Sequence, residues 1–192
     1  ASVDFVDVDP ATGRMCTVAL QKKLEESEVD GTLPNIVIPV HLGGNSCDMI
    51  DIKNLADRFG FKIIEDASHA VGATYKNQRV GCCQYSDAVV FSFHPVKIIT
   101  SGEGGMVTTN DPEVFAMLQM LRSHGITRDN SRLKNHSPGA WYYEQQLLGL
   151  NYRLSDIHAA LGNSQLDRLD QFIEQRRQLV REYDSQLRHL AL

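Results

Sequence analysis

Two side chains of complementary chemistry stand where β-forming runs give way to turns. Asp66 ends the run Lys62–Asp66, and Lys97 lies in the turn after the run Asp87–Phe93. Ser92 is near the end of the second run, and Gly102, Gly104 and Gly105 follow the lysine. An acid and a lysine so placed admit three roles: a salt bridge, a phosphate-holding lysine with a structural acid, or a Schiff-base lysine with an acid that pairs a pyridinium nitrogen. The phosphate loop of nucleotide hydrolases places its glycines before the lysine, in GxxxxGK followed by Ser or Thr, whereas here they come after it. GxGxxG is absent as well. The third role has its own physical logic. A pyridoxal phosphate ring withdraws electrons well while its nitrogen is protonated, and a buried carboxylate favours that form through a charge-assisted hydrogen bond. Asp66 suits the task, and Glu65 does not, because neighbouring strand residues face opposite sides. Lys97 would hold the cofactor and, once released, move the proton, while Ser92 would bond the phosphate. Each residue also has a plainer reading: Lys97 as a surface lysine, Asp66 as a helix cap, Ser92 as a half-buried strand serine.

The elements that would position these groups are legible from periodicity. Val3–Val8 alternates as a strand does, and Asp9–Gly13 has turn composition. Thr17 caps a helix to about Glu26, and a loop follows from Glu28. Ile36–His41 reads as a strand with Pro39 near its end or at an unpaired position. Ile52, Leu55, Ala56 and Phe59 fall at i, i+3, i+4 and i+7 of a helix that Gly60 ends. After Lys62–Asp66 comes a turn, then a hairpin excursion at Tyr75–Gly81. Asp87–Phe93 is apolar enough to be covered on both faces, and Gly105–Thr109 is a further strand. Asp111, Pro112 and Glu113 form a helix start: capping acid, then proline where its missing N–H costs nothing, then an acid in the first turn. Val114, Met117, Leu118 and Leu121 are the expected buried stripe of that helix. The stretch 124–149 has little periodicity, which in a compact domain marks a functional or mobile segment. Ser155 caps a helix through about Leu166. A longer one from about Arg168 to Leu190 carries Leu169, Phe172, Ile173, Leu179, Val180, Tyr183 and Leu187 on one side, interrupted by Arg176 and Arg177. Strands alternating with helices at this spacing predict an α/β layered, mostly parallel sheet, in which ligands collect at the carboxyl ends of the strands.

Composition narrows the class. At 192 residues, 42% hydrophobic and 22% charged, the chain has the make-up of an ordinary soluble domain or part of a larger one. A net charge of -5 gives no electrostatic footprint for nucleic acid or an anionic membrane surface. No apolar run approaches a membrane span. Cys16, Cys47, Cys82 and Cys83 show no metal-ligand spacing, and as reduced thiols they fit a cytoplasmic protein. The first residue is not Met, the first residues already read as a strand, and helical pattern continues to Leu192, so a fragment is expected.

Four stretches carry a resemblance. EDASHAVGA at 65–73, FSFHPVKIITSGEGGMV at 91–107, RSHGI at 122–126 and LNYRLSDIHAALGNSQL at 150–166 resemble the DegT/DnrJ/EryC1/StrS family. These are pyridoxal-phosphate-dependent nucleotide-sugar aminotransferases of the aspartate-aminotransferase fold (type I). The resemblance runs through nearly the whole chain. The HisPro-x-Lys form at 94–97 and the TrpTyrTyrGlu stretch at 141–144 are most similar to family members of the pseudaminic-acid pathway. What the resemblance implies is a partial large domain, an α/β mixed and mostly parallel sheet between helices over 1–166, with 167–192 a long helix leading toward a C-terminal small domain. It implies Lys97 as the Schiff-base lysine, Asp66 on the ring nitrogen, His69 on the phenolic oxygen and Ser92 on the phosphate. It further implies Asn151 on the phosphate of a neighbouring subunit's cofactor, hence a homodimer with a shared site, and Arg153 on an anionic substrate group. The implied reaction aminates the 4-position of a UDP-linked 4-keto-6-deoxy sugar with glutamate as donor. The family's N-terminal phosphate-binding turn and its C-terminal small domain have no counterpart here, so the piece alone is expected to have weak or no activity. The competing functions are a sugar dehydratase of the same fold, which the resemblance associates with histidine in place of Lys97, and a non-catalytic relative that binds the cofactor or a partner.

Overall fold

A computed structural model of the chain describes residues 2–190. The residues 191 and 192, with which the expected last helix was to continue, lie outside the described residues, as does residue 1.

The site rests on a four-stranded sheet in the order β1-β2-β5-β6: β1 (Ile36–Val37), β2 (Lys62–Asp66), β5 (Ala88–Ser92) and β6 (Gly105–Thr108). β1, β2 and β5 are parallel, and β6 runs antiparallel to β5, so the sheet is mixed as expected. Two helices, α1 (Thr17–Asp30) and α2 (Met49–Phe59), join one core with β1 and β2. The predicted stripe of α2 is buried at all four positions, Ile52, Leu55, Ala56 and Phe59. Each large member contributes about 1.5–3 kcal/mol by leaving water. Between β2 and β5 a hairpin, β3 (Thr74–Tyr75) with β4 (Gln78–Arg79), turns through Lys76 and Asn77, both at positive φ. Such a pair of left-handed residues matches the twist of the flanking strands, and asparagine is among the residues that tolerate it.

Several expectations need correction. Val3–Val8 forms no strand: its alternation finds no neighbour beyond one bridge between Val8 and Met15. Cys16, not Thr17, is the N-cap of α1, and the helix runs on through Glu28, Val29 and Asp30 until Gly31 takes the left-handed conformation. The strand expected over Ile36–His41 pairs as β1 for two residues, then bridges again at Val40 with Asp66. Pro39 lacks an N–H but accepts from Asp66 N–H at 2.9 Å, so proline interrupts the ladder without ending the contact. β5 is fully buried at Ala88 and Val89 and half-buried toward Ser92, the end that faces the turn with the lysine. In α3 (Pro112–Leu121) the buried residue is Met120, while Met117 and Leu121 of the predicted stripe are exposed. α3 packs beside the short strand β7 (Ile126–Thr127), and of its own residues Met120, near its C-terminal end, is the one buried. The last two helices are α4 (Asp156–Leu166), capped by Ser155 as read, and α5 (Leu169–Leu187). On α5, Phe172 and Ile173 are half-buried and the later apolar positions are exposed.

The irregular stretch 124–149 is organised by one carboxylate. β7 pairs antiparallel with β8 (Glu144–Gln145). The Glu144 carboxylate accepts the backbone N–H groups of Lys134 at 2.7 Å and Asn135 at 2.9 Å, and the Tyr142 hydroxyl at 3.0 Å. The Lys134 N–H, with help from Asn135 and Tyr142, holds its pKa down at about 2. Because the folded value lies below the ordinary 4.5, this contribution is fully present above pH 4.5 and is lost as pH falls toward about 2. Limited proteolysis is therefore expected to cut 128–146 no faster between pH 8 and pH 5, and much faster at pH 7 in Glu144→Ala. Equal cutting of the variant and the parent would refute the staple.

Candidate active site

The parallel pairing of β2 with β5 sets Asp66 against Val90. Ser92 lies two residues, about 7 Å of strand rise, beyond that partner on the same side of the pleat. Asp66 and Ser92 thus share one face at the carboxyl edge of the sheet, where ligands gather in folds of this kind. Glu65 takes the opposite face with Val89 and is buried there, as the alternation required. Asp66 is half-buried, and its Oδ1 accepts the Ser68 N–H at 3.0 Å, leaving the second oxygen for a ligand.

Lys97 sits at the crest of the turn joining β5 to β6. Phe93 N–H donates to Gly104 O at 2.8 Å, Ser101 N–H donates to Phe93 O at 3.1 Å, and Thr100 Oγ1 donates to the same carbonyl at 3.0 Å. Ile99 is buried and anchors the turn from below. Gly104 has φ +147°, and a Cβ there would come within 2.8 Å of Ser101 Oγ and of Leu154 Cδ1. The glycine therefore lets the turn close and lets the loop before α4 lie on it. Lys97 itself is half-buried, with its backbone N–H bonded to His94 O at 3.0 Å.

His69 follows Asp66 by one short turn and is exposed. Its Nδ1 accepts the Gly43 N–H at 3.3 Å, which ties it to the turn after β1. That contact was not read from the sequence, since it joins backbone and side chain across 26 residues with no shared period. Asn151 bridges to Ser123, and Asn151 and Arg153 are both exposed on the loop whose Leu154 packs against Gly104. Neither is brought together with Asp66 within this chain. The structure thus gathers Asp66, Ser92, His69 and the Lys97 turn at one edge and leaves Asn151 and Arg153 facing outward.

A second polar layer lies under the site. His41 is fully buried, its backbone N–H donates to Asp66 O at 3.0 Å, and its Nε2 lies 2.6 Å from Glu65 Oε2. Ser86 donates to the other Glu65 oxygen. Burial opposes charging of the ring, but contacts with Cys47 and the Glu65 carboxylate outweigh it and lift its pKa to about 9. The Cys47 N–H, 3.2 Å from Nδ1, can be accepted only while that nitrogen keeps its lone pair, so the ring gives up this bond when it takes its second proton.

The donor set is a carboxylate and a hydroxyl at neighbouring strand ends, with an imidazole and an amine on the turns that follow those strands. It matches in kind a pyridinium nitrogen, a phenolic oxygen, a phosphate and an aldehyde. Comparison with known proteins decides the family. The model of the DegT/DnrJ/EryC1/StrS aminotransferase family matches residues 1–192.

The chain belongs to that family.

It is 39% identical over 186 residues to a UDP-4-amino-4,6-dideoxy-N-acetyl-beta-L-altrosamine transaminase of Campylobacter jejuni, covering 97% of this chain and 46% of the relative. Among solved structures it superposes on Helicobacter pylori PseC, an aminotransferase involved in the biosynthesis of pseudoaminic acid, with TM-score 0.83 and 31% identity. That match covers 97% of this chain and 45% of PseC. The sugar aminotransferase Spr1654 of Streptococcus pneumoniae, solved in its PLP-form, gives TM-score 0.75 at 28% identity over 96% of this chain and 47% of its own. The chain spans about half the length of the relatives it matches. The family's cofactor is pyridoxal phosphate, and the donor set at the sheet edge fits it. No helix among the described residues is long and apolar enough to cross a membrane.

Proposed function

We propose that the full-length protein is a pyridoxal-phosphate-dependent aminotransferase that moves an amino group from glutamate to the 4-keto position of a UDP-linked 4-keto-6-deoxy sugar, in the assembly of pseudaminic-acid-type surface glycans. The observation that carries the reading is the shared sheet edge of Asp66 and Ser92, with Lys97 on the braced turn beyond it, in a member of this family. When bound, the cofactor supplies an electron sink for the carbon that gains or loses the amine. Asp66 would hold the ring nitrogen in its charged form, His69 would contact the phenolic oxygen, and Ser92 would bond the phosphate. Lys97 would hold the cofactor through its amine and, once released, would serve as the proton-moving base. Residues 1–166 form part of the large domain, and 167–192 lead toward a smaller one. Asn151, outward-facing here, would reach the phosphate of the cofactor held by a neighbouring subunit, so the working unit is a homodimer; the cytoplasm is the compartment that its reduced cysteines fit. Arg153 meets an anionic group of the substrate.

Purified full-length protein, given glutamate and the keto sugar, is expected to form 2-oxoglutarate and amino sugar mole for mole. Asp66→Asn keeps the cofactor's neighbours but removes the charge that favours a protonated ring nitrogen, and turnover is expected to fall about 10²-fold. Failure to aminate any of a panel of UDP- and GDP-linked keto sugars would overturn the reading.

A further inference from the structure

α5 brings a positively charged wall to the candidate site. A cleft of about 440 Å³ opens between the Gly43–Gly44 turn, the segment His69–Ala73 and α5, and Ile98, the residue after Lys97, lines it too. From α5 come Ile173, Arg176, Arg177, Val180 and Arg181. The helix is held close: a Cβ on Gly72, at φ +80°, would stand 2.5 Å from Ile173 Cδ1. Arg181 is spent on Glu174 at 2.7 Å. No ion pair engages Arg176 or Arg177 among the described residues, so three guanidinium groups face one carboxylate and the wall keeps a surplus of positive charge.

Arginines on an exposed helix face are ordinarily solvated surface. These two differ because they line the same concavity as His69 and Ile98, beside the groups assigned to the cofactor. We propose that Arg176 and Arg177 bind the diphosphate of a nucleotide-sugar substrate. The identity of that ligand rests on the aminotransferase reading, whereas the presence of an oxyanion site does not. Two kinds of oxyanion would visit such an enzyme, the diphosphate of the sugar and the carboxylates of the amino donor. Adjacent guanidiniums, each a five-donor fork, suit several oxygens spread over two phosphates, whereas a carboxylate is satisfied by one fork. A cleft of this size also exceeds what a carboxylate fills.

Calorimetric titration of full-length holoprotein with UDP, and separately with the unreactive dicarboxylate glutarate, tests this. In Arg176→Gln/Arg177→Gln the Kd for UDP is expected to rise by about 30-fold or more, as two charge-assisted contacts are lost. Arg176→Lys/Arg177→Lys is expected to fall in between, with the glutarate response and the cofactor's visible absorbance unchanged. The two single Arg→Gln variants carry the same test if the double variant does not fold. An unchanged Kd for UDP overturns the proposal, as does a loss that falls on glutarate instead. Neither probe reacts, so the outcome is separate from turnover. Arginine-dependent UDP binding in a protein that makes no 2-oxoglutarate from glutamate would refute the aminotransferase reading and leave the oxyanion site standing.

Discussion

Full-length protein carrying Lys97→Ala is expected to lose transamination by on the order of 10⁴-fold while keeping its fold. The two halves of that expectation have separate causes. Truncation removes the amine that would hold the cofactor and shuttle the proton, and no lysine within five residues on either side stands ready to replace it. The turn does not depend on that side chain. Its closure comes from Phe93 N–H to Gly104 O, from Ser101 N–H and Thr100 Oγ1 to Phe93 O, and from buried Ile99. The structural bond of Lys97 is its backbone N–H to His94 O, which alanine retains. Circular dichroism should therefore match the parent. Borohydride reduction of the parent holoprotein, followed by peptide mapping, should find the cofactor on the peptide that contains Lys97 and on none in the variant. Cofactor attached to another lysine, or a variant within tenfold of parental activity, would remove Lys97 from the chemistry.

What could be read from the sequence was whatever is decided within a few residues. Asp111 caps α3 as its AspProGlu start demanded, accepting from Glu113 N–H at 2.8 Å and Val114 N–H at 3.2 Å. The α2 stripe was legible for the same reason: its spacing and its terminating Gly60 are local. The strand ends at Asp66 and Ser92 came from runs bounded by turn residues, and parallel pairing then placed them together. Burial of a stripe needs a second surface, and periodicity does not say what that surface is. Hence Met117 and Leu121 of α3 and Val180 and Tyr183 of α5 are exposed despite their spacing. Val3–Val8 has strand alternation without a ladder to join. The Glu144 staple spans nine and ten residues of irregular backbone and has no period at all. Arg176 and Arg177 were visible as a break in the apolar stripe, but the partner across the break, the His69–Ala73 segment, is about a hundred residues away in sequence and close in space through the sheet.

The buried pair beneath the site leads to the largest expected change in stability. His41→Leu keeps roughly the volume of the ring but leaves Glu65, 5% exposed, with one fewer partner and no donor on the side the imidazole occupied. Removing one member of a buried pair costs about 3–5 kcal/mol, because the remaining charge is desolvated without compensation. A single domain has about 5–15 kcal/mol in total, so such a loss approaches unfolding. The damage should concentrate where His41 joins the strands. Its N–H holds Asp66 O, its ring holds Glu65, and Nδ1 receives the Cys47 N–H. Amide hydrogen exchange in β2 of the full-length protein is expected to accelerate by about 10²-fold or more, while amides of the β7–β8 pair, tied instead by Glu144, change far less. His41→Leu/Glu65→Leu removes the stranded charge together with its partner and should recover more than half of the loss, since apolar replacement of a whole buried pair is often neutral. If the double variant proved no more stable than His41→Leu, the histidine would be acting through packing, and the electrostatic account of how Asp66 is held at the sheet edge would fail.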